Sequence, residues 1–339
     1  MKKRNRFIIV LVCVVGFFVI SPVLVFYSMG YRFDFEKMII TATGGIYVRS
    51  FPAPEQVVID SKITQKPGLF SNWVFVQSLI PNEHAVLVQK TDHYDYFKTI
   101  LVEEKEVTKL ENIILFKKDI LFEPADPTQS PFNVKKITSP IKKSVAFAEQ
   151  NGNIIWLGTD GFLYKSSASD ILAEPTKLTL TQIEMSDEGV YQVTADNKNI
   201  FVNNDGNLLF LNPKTNELEY IYSPIKDIKI SPNGESIVFH GDKNIYTALV
   251  SNVLNIKNGL LYKSPEKINN FLWLNDYYIV FTAGYKIIVS ETDYRGNVNA
   301  VTLSPKINLE KPEIYFDQQE NKLYISTGDI LLLSEKLIP

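Results

Sequence analysis

"IKISPNGESIVFHGDKNIYTALVSN", residues 228–252, alternates apolar and polar residues on either side of two short polar breaks. Period-two alternation rich in Ile, Val, Tyr and Phe predicts strands. Pro-Asn-Gly and Gly-Asp predict the tight turns between them. The unit is therefore strand, turn, strand, turn, strand. The same order recurs in "VAFAEQNGNIIWLGTDGFLYKSS" (145–167), "YQVTADNKNIFVNNDGNLLFLNPKTNELEYI" (191–221), "FLWLNDYYIVFTAGYKIIVSETDYRG" (271–296) and "IYFDQQENKLYISTGDILLLSEKLI" (314–338). With Ile154, Ile200, Ile237, Ile279 and Leu323 taken as equivalent, the steps are 46, 37, 42 and 44 residues.

A period of about 40–50 residues is the length of one four-stranded propeller blade. One such sheet cannot bury both of its faces alone, so neighbouring units must pack in series around an axis. Residues 146–339 are thus expected to form a β-propeller of five or six blades. A sixth would draw on residues 111–145, or "ENIILF" (111–116) would instead close the ring beside the last blade. "SPNGESIVF" (231–239) resembles the Ser-Pro-Asp-Gly turn of TolB-like propellers, and "NPKTNELEY" (212–220) resembles their outer Thr-Gly-Glu turn. The Trp-Asp and Gly-His signatures of the WD subtype are absent.

Upstream, "TGGIYVRSFPAPEQVVID" (43–60) reads as a strand, a proline turn and a second strand. The runs "WVFVQSL", "AVLVQK", "YFKTILVEE" and "VTKLENIILF" continue the alternation to Phe116, which makes about six strands and no helical stripe. A small antiparallel β-sandwich over 44–116 is expected. Here the chain resembles the PEGA domain. "PAPE" (52–55) takes the namesake slot, followed by Val57, Ile59 and Asp60. Lys66-Pro67, "LIPNEH" (79–84) and His93-Tyr94 stand at the family's Thr-Pro, proline-turn and Gly-Tyr places. The resemblance implies a surface-exposed, glycan-associated module and transfers no catalytic residue. Residues 117–145, with "EPADPTQSP" (123–131), form a connector to the propeller.

The hairpin at 43–60 lies shortly after "FIIVLVCVVGFFVISPVLVFY", Phe7–Tyr27, about 21 residues without a charge. At about 1.5 Å per residue such a helix spans a hydrocarbon core about 30 Å thick. Lys2, Lys3, Arg4 and Arg6 precede it, so the positive-inside rule places residues 1–6 in the cytoplasm and everything after the helix outside. Residues 28–43 form a juxtamembrane segment, and Tyr27, Tyr31 and Phe33 form an aromatic belt. A cleaved signal peptide has a shorter apolar region and a small-x-small site, which "VFYSMG" does not supply. The order of anchor, PEGA-like module and propeller resembles single-pass bacterial surface proteins, so the expected location is the cell membrane with the β domains extracytoplasmic.

The net charge of −3 leaves the chain after Arg6 with about seven net negative charges, poorly suited to tracking phosphate backbones. No nucleic-acid partner is expected. The single cysteine, Cys13, lies in the apolar run, so no intramolecular disulfide forms. His84, His93 and His240 show no metal spacing and read as surface or turn residues. "QNGN" (150–153), "NNDGN" (203–207) and "HGDKN" (240–244) resemble fragments of calcium loops but lack their alternating ligands and distal Glu. They read as hairpin turns that need positive φ. No metal, cofactor or catalytic constellation is expected.

Aromatic rims stack on sugars or anchor protein partners. The candidate ligand-binding residues are Tyr94 and Tyr96 in "DHYDYF", Tyr277 in "NDYYIVF", and Tyr294 and Arg295 in "DYRGNVN". The expected function is non-enzymatic surface binding or scaffolding, with lipid around Phe7–Tyr27 and an envelope glycan or envelope protein as partner. One alternative is a glycan hydrolase or lyase using propeller-face acids, with Asp276, Asp293, Glu313 and Asp317 available in the last two repeats. The other is a purely structural subunit of a membrane complex.

Overall fold

The structure is a computed structural model that describes residues 3–35, 37–126, 130–133, 139–255, 259–303, 311–328 and 330–339. The chain divides into two compact units. The first is Met1–Lys117 with Arg295–Asn297, and the second is Lys118–Tyr294 with Val298–Pro339.

The first unit opens with helix α1, Lys3–Ser28, which starts and ends slightly beyond the predicted span and carries Pro22 inside. Its stretch Ile9–Ser28 is long and apolar enough to cross a membrane, and none of it is buried against the rest of the chain. Strands β1 (Tyr31–Asp34) and β2 (Ile39–Ala42) follow as an antiparallel hairpin in what the sequence left as a plain juxtamembrane segment.

Strands β3 (Gly44–Phe51), β4 (Gln56–Ile59), β5 (Ile63–Gln65), β6 (Trp73–Leu79), β7 (Glu83–Gln89), β8 (Tyr96–Leu101) and β9 (Val107–Ile114) then build two sheets, β6–β3–β9 and β5–β4–β7–β8. All six sequence-predicted runs fall on strands. Their alternate residues meet in one core, Ile46, Val48, Val74, Val76 and Leu110 from one sheet and Val57, Ile59, Val86, Val88 and Ile100 from the other. The expectation of a wholly antiparallel structure is corrected, because β9 pairs with β3 in parallel. Since β8 belongs to the other sheet, the chain crosses between sheets before β9 and re-enters alongside β3, where a hairpin partner would have to run antiparallel.

His84 is also no surface residue. It is 8 % exposed, with Nδ1 2.6 Å from Asp60 Oδ2 and Nε2 2.8 Å from the Ile80 carbonyl. Asp60 Oδ1 accepts from Ala85 N–H, so the Ile-Asp that closes β4 fastens it to β7.

In the second unit, β10 (Phe122–Pro124) precedes twelve strands in three meanders: β11 (Ser144–Gln150), β12 (Asn153–Gly158), β13 (Leu163–Ser167), β14 (Thr176–Lys177); β15 (Tyr191–Ala195), β16 (Ile200–Asn204), β17 (Asn207–Asn212), β18 (Glu217–Tyr222); and β19 (Asp227–Ile230), β20 (Ser236–His240), β21 (Asn244–Leu249), β22 (Leu260–Lys263). A fourth meander holds β23 (Ile268–Trp273), β24 (Tyr278–Ala283), β25 (Lys286–Glu291) and β26 (Ala300–Leu303). The last strands, β27 (Glu313–Asp317), β28 (Lys322–Thr327) and β29 (Ile330–Ser334), take β10 as their fourth member.

The described residues of this unit thus hold five four-stranded antiparallel sheets. Successive sheets share cores: Leu157 and Leu163 with Val193 and Val202, Phe201 and Phe210 with Ile228 and Phe239, and Val238 and Ile245 with Phe271 and Phe281. Because β24 is covered on both faces, all six of its residues are buried and its alternation disappears. Four-stranded meanders packed face to face in series are the organisation of a β-propeller.

The first four residues of "ENIILF" lie in β9, which pairs with β3, and the segment is no member of the last sheet. The strand that completes the last sheet is β10, with Phe122 opposite Ser334 and Pro124 opposite Leu332. Connector residues 127–129 and 134–138 lie outside the described residues. The Asn-Gly and Asp-Gly breaks are tight turns, with φ of +46° and +73° at Asn151 and Gly152 and +49° and +85° at Asp205 and Gly206.

His240 is 3 % exposed, its ring edge-on to Phe271 and its Nδ1 2.7 Å from the Gly241 carbonyl. Burial pushes its pKa below the ordinary value, partly offset by that carbonyl. The unfolded chain therefore takes up a proton that the folded chain refuses. Stability is complete above about pH 6.5 and falls as pH drops toward the folded-state pKa, by up to about 1.4 kcal/mol per pH unit. Urea melts at pH 7.5 and 5.5 are expected to differ less in His240→Gln than in the parent. Equal differences in the two proteins would remove His240 as the cause.

Candidate functional site on the propeller axis

In a propeller the first strand of each repeat is innermost. Here β11 lies beside β15, β15 beside β19, and β23 beside β27. Where β15, β19, β23 and β27 end and their first turns begin, a cavity of about 970 Å³ opens. Trp273, Tyr315 and Phe316 give it aromatic walls, and Lys229, Asp196 and Asp317 give it charge.

Alternation along β27 buries Ile314 and Phe316 and leaves Tyr315 43 % exposed at the mouth. Trp273 is held by an Nε1–H bond of 3.2 Å to the Lys229 carbonyl. The Lys229 ammonium lies 5.4 Å from the Phe271 ring centroid, and burial lowers its pKa, with Asp227 acting in the opposite direction. Among the described residues its Nζ has no hydrogen-bond partner. A half-buried ammonium at an aromatic cavity can donate to an acceptor that enters it.

The acids are engaged differently. Asp196 Oδ1 accepts from Lys198 and Asn199 N–H, both at 2.7 Å, and its Oδ2 accepts from Asn199 Nδ2 at 3.0 Å. Asp317 Oδ1 accepts from Gln319 and Glu320 N–H at 2.8 and 3.1 Å. Both carboxylates cap the turn that follows their strand. The turns also brace one another. Asn199 Nδ2 donates to the Gly234 carbonyl, and Asn233 N–H donates to Asp276 Oδ1. Gly234 has φ +75°, and a side chain there would begin 2.6 Å from Asp196 Oδ2, which is why the turn reads Asn-Gly.

None of the five binding residues singled out from sequence lines the cavity. Tyr94 is half-buried in the first unit, its N–H donating to the Phe116 carbonyl at 2.8 Å. Tyr96 is 4 % exposed in that unit's core, because position one of β8 points inward. Arg295 groups with the first unit and donates from Nη2 to the Lys109 carbonyl at 3.1 Å. Tyr277 and Tyr294 are 46 % and 42 % exposed in the second unit. Tyr277 stands in the turn after β23, on the cavity's side of the sheet, but does not line it. Of the four acids considered, Asp317 alone lines the cavity. Lys229, Trp273 and Tyr315 were missed. The available signal was their place on the first strand of a repeat, where a charged or aromatic residue faces the axis. Among the described residues no group of His, Cys, Asp and Glu could hold a metal ion.

No family model matches the sequence, and no curated protein matches it. Among solved structures it is similar to YCF48 from Cyanidioschyzon merolae, at 12 % identity over 85 % of this chain and 98 % of that one, with a TM-score of 0.42. A structure of YCF48 bound to D1 peptide gives 12 %, 85 %, 94 % and 0.40. The Cps50 (Swd1) β-propeller domain of Myceliophteria thermophila gives 13 %, 54 %, 66 % and 0.39. At these values the sheet topology described above, and not the likeness, carries the fold.

Proposed function

We propose that the protein is a single-pass membrane protein, its amino terminus cytoplasmic and its β units outside, that binds an envelope glycan without turning it over. The first unit is a PEGA-type sandwich, and each four-stranded sheet of the second is one blade of a five- or six-bladed propeller. The observation that carries this reading is the axial cavity, with Tyr315 and Trp273 as stacking surfaces and Lys229 as an unused donor. Sugar rings present apolar faces to aromatic side chains and hydroxyl oxygens to buried donors.

The hydrolase alternative needs one carboxyl free to give a proton and another free to attack or to activate water. Asp196 and Asp317 are instead occupied by the backbone of their own turns. This favours binding over turnover. An envelope protein entering the same cavity is the second reading, favoured by its rim of tethered turns, which suits an extended peptide as well as a glycan chain.

The full-length chain in lipid nanodiscs is expected to co-sediment saturably with insoluble envelope glycan and to release no soluble fragments. Tyr315→Ala should weaken that binding at least about tenfold, or 1.4 kcal/mol. Lys229→Met, which removes a desolvated charge and so leaves the fold intact, should weaken it comparably. Absence of saturable binding would overturn the glycan reading, and soluble products would replace it with the enzyme.

A further inference from the structure

We infer that the β1–β2 hairpin is a lipid-contacting element that lies in the headgroup region of the bilayer beside α1. This rests on the proposed reading of α1 as a retained membrane helix. Pairing of Phe33 with Ile40 and of Tyr31 with Ala42 sets these residues on one face of the hairpin, and pairing of Arg32 with Thr41 and Asp34 with Ile39 sets those on the other.

The polar face is the satisfied one. Thr41 Oγ1 donates to Glu104 Oε1 at 2.5 Å, and Arg32 Nη1 donates to the Tyr27 and Tyr31 carbonyls at 2.9 and 2.8 Å. Asp34 and Thr41 are 4 % and 5 % exposed. On the opposite face Phe33 and Ile40 are 41 and 60 % exposed while Ala42 at its base is buried, and at the turn Phe35 and Met38 are 79 and 70 % exposed beside Lys37. A hairpin in water normally turns its apolar face inward. Here the polar Asp34 and Thr41 are buried, whereas Phe33, Ile39 and Ile40 are exposed.

What covers that face is decided by continuity with the helix. Only Met29 and Gly30 separate α1 from β1, a link of at most about 7 Å. Phe26 of the helix meets Tyr31 edge-on at 5.7 Å, and the Arg32 guanidinium lies 3.5 Å above the Tyr27 ring. The aromatic end of the helix therefore runs directly into the hairpin's apolar face. Lys37, exposed at the tip and preceded in sequence by Glu36, offers a cation to lipid phosphates while the apolar residues enter the acyl boundary.

The test uses the full chain with Cys13→Ser, reconstituted into phosphatidylcholine–phosphatidylglycerol vesicles and spin-labelled at one introduced cysteine. The sites are Met38→Cys at the hairpin, Phe18→Cys in the helix and Lys62→Cys at an exposed turn of the first sandwich. Collision with oxygen relative to a water-soluble nickel chelate is expected to be severalfold higher at 38 than at 62, and highest at 18. A label as water-accessible at 38 as at 62, with 18 still in lipid, would overturn the hairpin's role and leave the anchor standing. Water access at 18 as well would overturn both.

Discussion

Replacing Phe281 by alanine is expected to destabilise the second unit by about 3–5 kcal/mol. Phe281 is fully buried in β24, at the centre of the core shared by the third and fourth sheets, with the Tyr262 ring edge-on at 5.0 Å. On its two sides stand hydrogen-bonded meanders that cannot shift inward without breaking their own ladders, so the void left by the ring would stay open. Tyr277→Ala, four residues earlier and exposed, should change stability by no more than about 0.5 kcal/mol. Urea unfolding followed through proteolytic peptides of the second unit reports each variant separately from the first unit. A loss below about 1 kcal/mol for Phe281→Ala would mean that the two sheets do not close on that ring.

In the first unit the largest effect is expected from the smallest residue. A Cβ on Gly44 would lie 2.3 Å from the Glu103 carbonyl oxygen and 2.9 Å from that of Glu106. These are backbone atoms and cannot rotate away. Gly45 N–H bonds the Glu106 carbonyl at 2.9 Å, so the approach is also what lets β3 enter the sheet. Gly44→Ala should therefore cost about 3 kcal/mol, the upper part of the range for overpacking. Gly68→Ala, whose nearest new neighbour is a serine hydroxyl at 3.4 Å, should be nearly silent. Thermal unfolding and protease resistance of the first unit decide the matter. Equal melting temperatures for the two variants would show that no such close approach exists.

The sequence spoke most clearly where structure is local. The strands of 44–116 and the repeats after 145 announced themselves because turn residues separate runs of period two. "YIVFTA" lost its alternation in becoming β24, yet its neighbours kept the phase. Features that depend on distant partners were silent. Phe122–Pro124 is too short and too proline-rich to show a pattern, and only Leu332 to Ser334 make it a strand. The parallel course of β9 follows from a change of sheet that no periodicity records. The first hairpin was hidden by its own hydrophobicity beside a more hydrophobic helix. Lys229, Trp273 and Tyr315 meet only because three repeats converge, whereas the tyrosine-rich clusters that drew notice were partly core, as Tyr96 shows.

The fifth sheet also sets a timetable. Its outer strand, β10, leaves the ribosome about 200 residues before β29, its partner. Throughout that interval Phe122–Pro124 lacks its partner strand, and the edge of the last sheet can be covered only once Ser334 has been made. Translation that halts before Ile330 would deliver four sheets with a loose end and no means of fastening it. The clasp therefore forms after the other sheets of the unit, so the folding chain carries an unfastened propeller until β29 arrives.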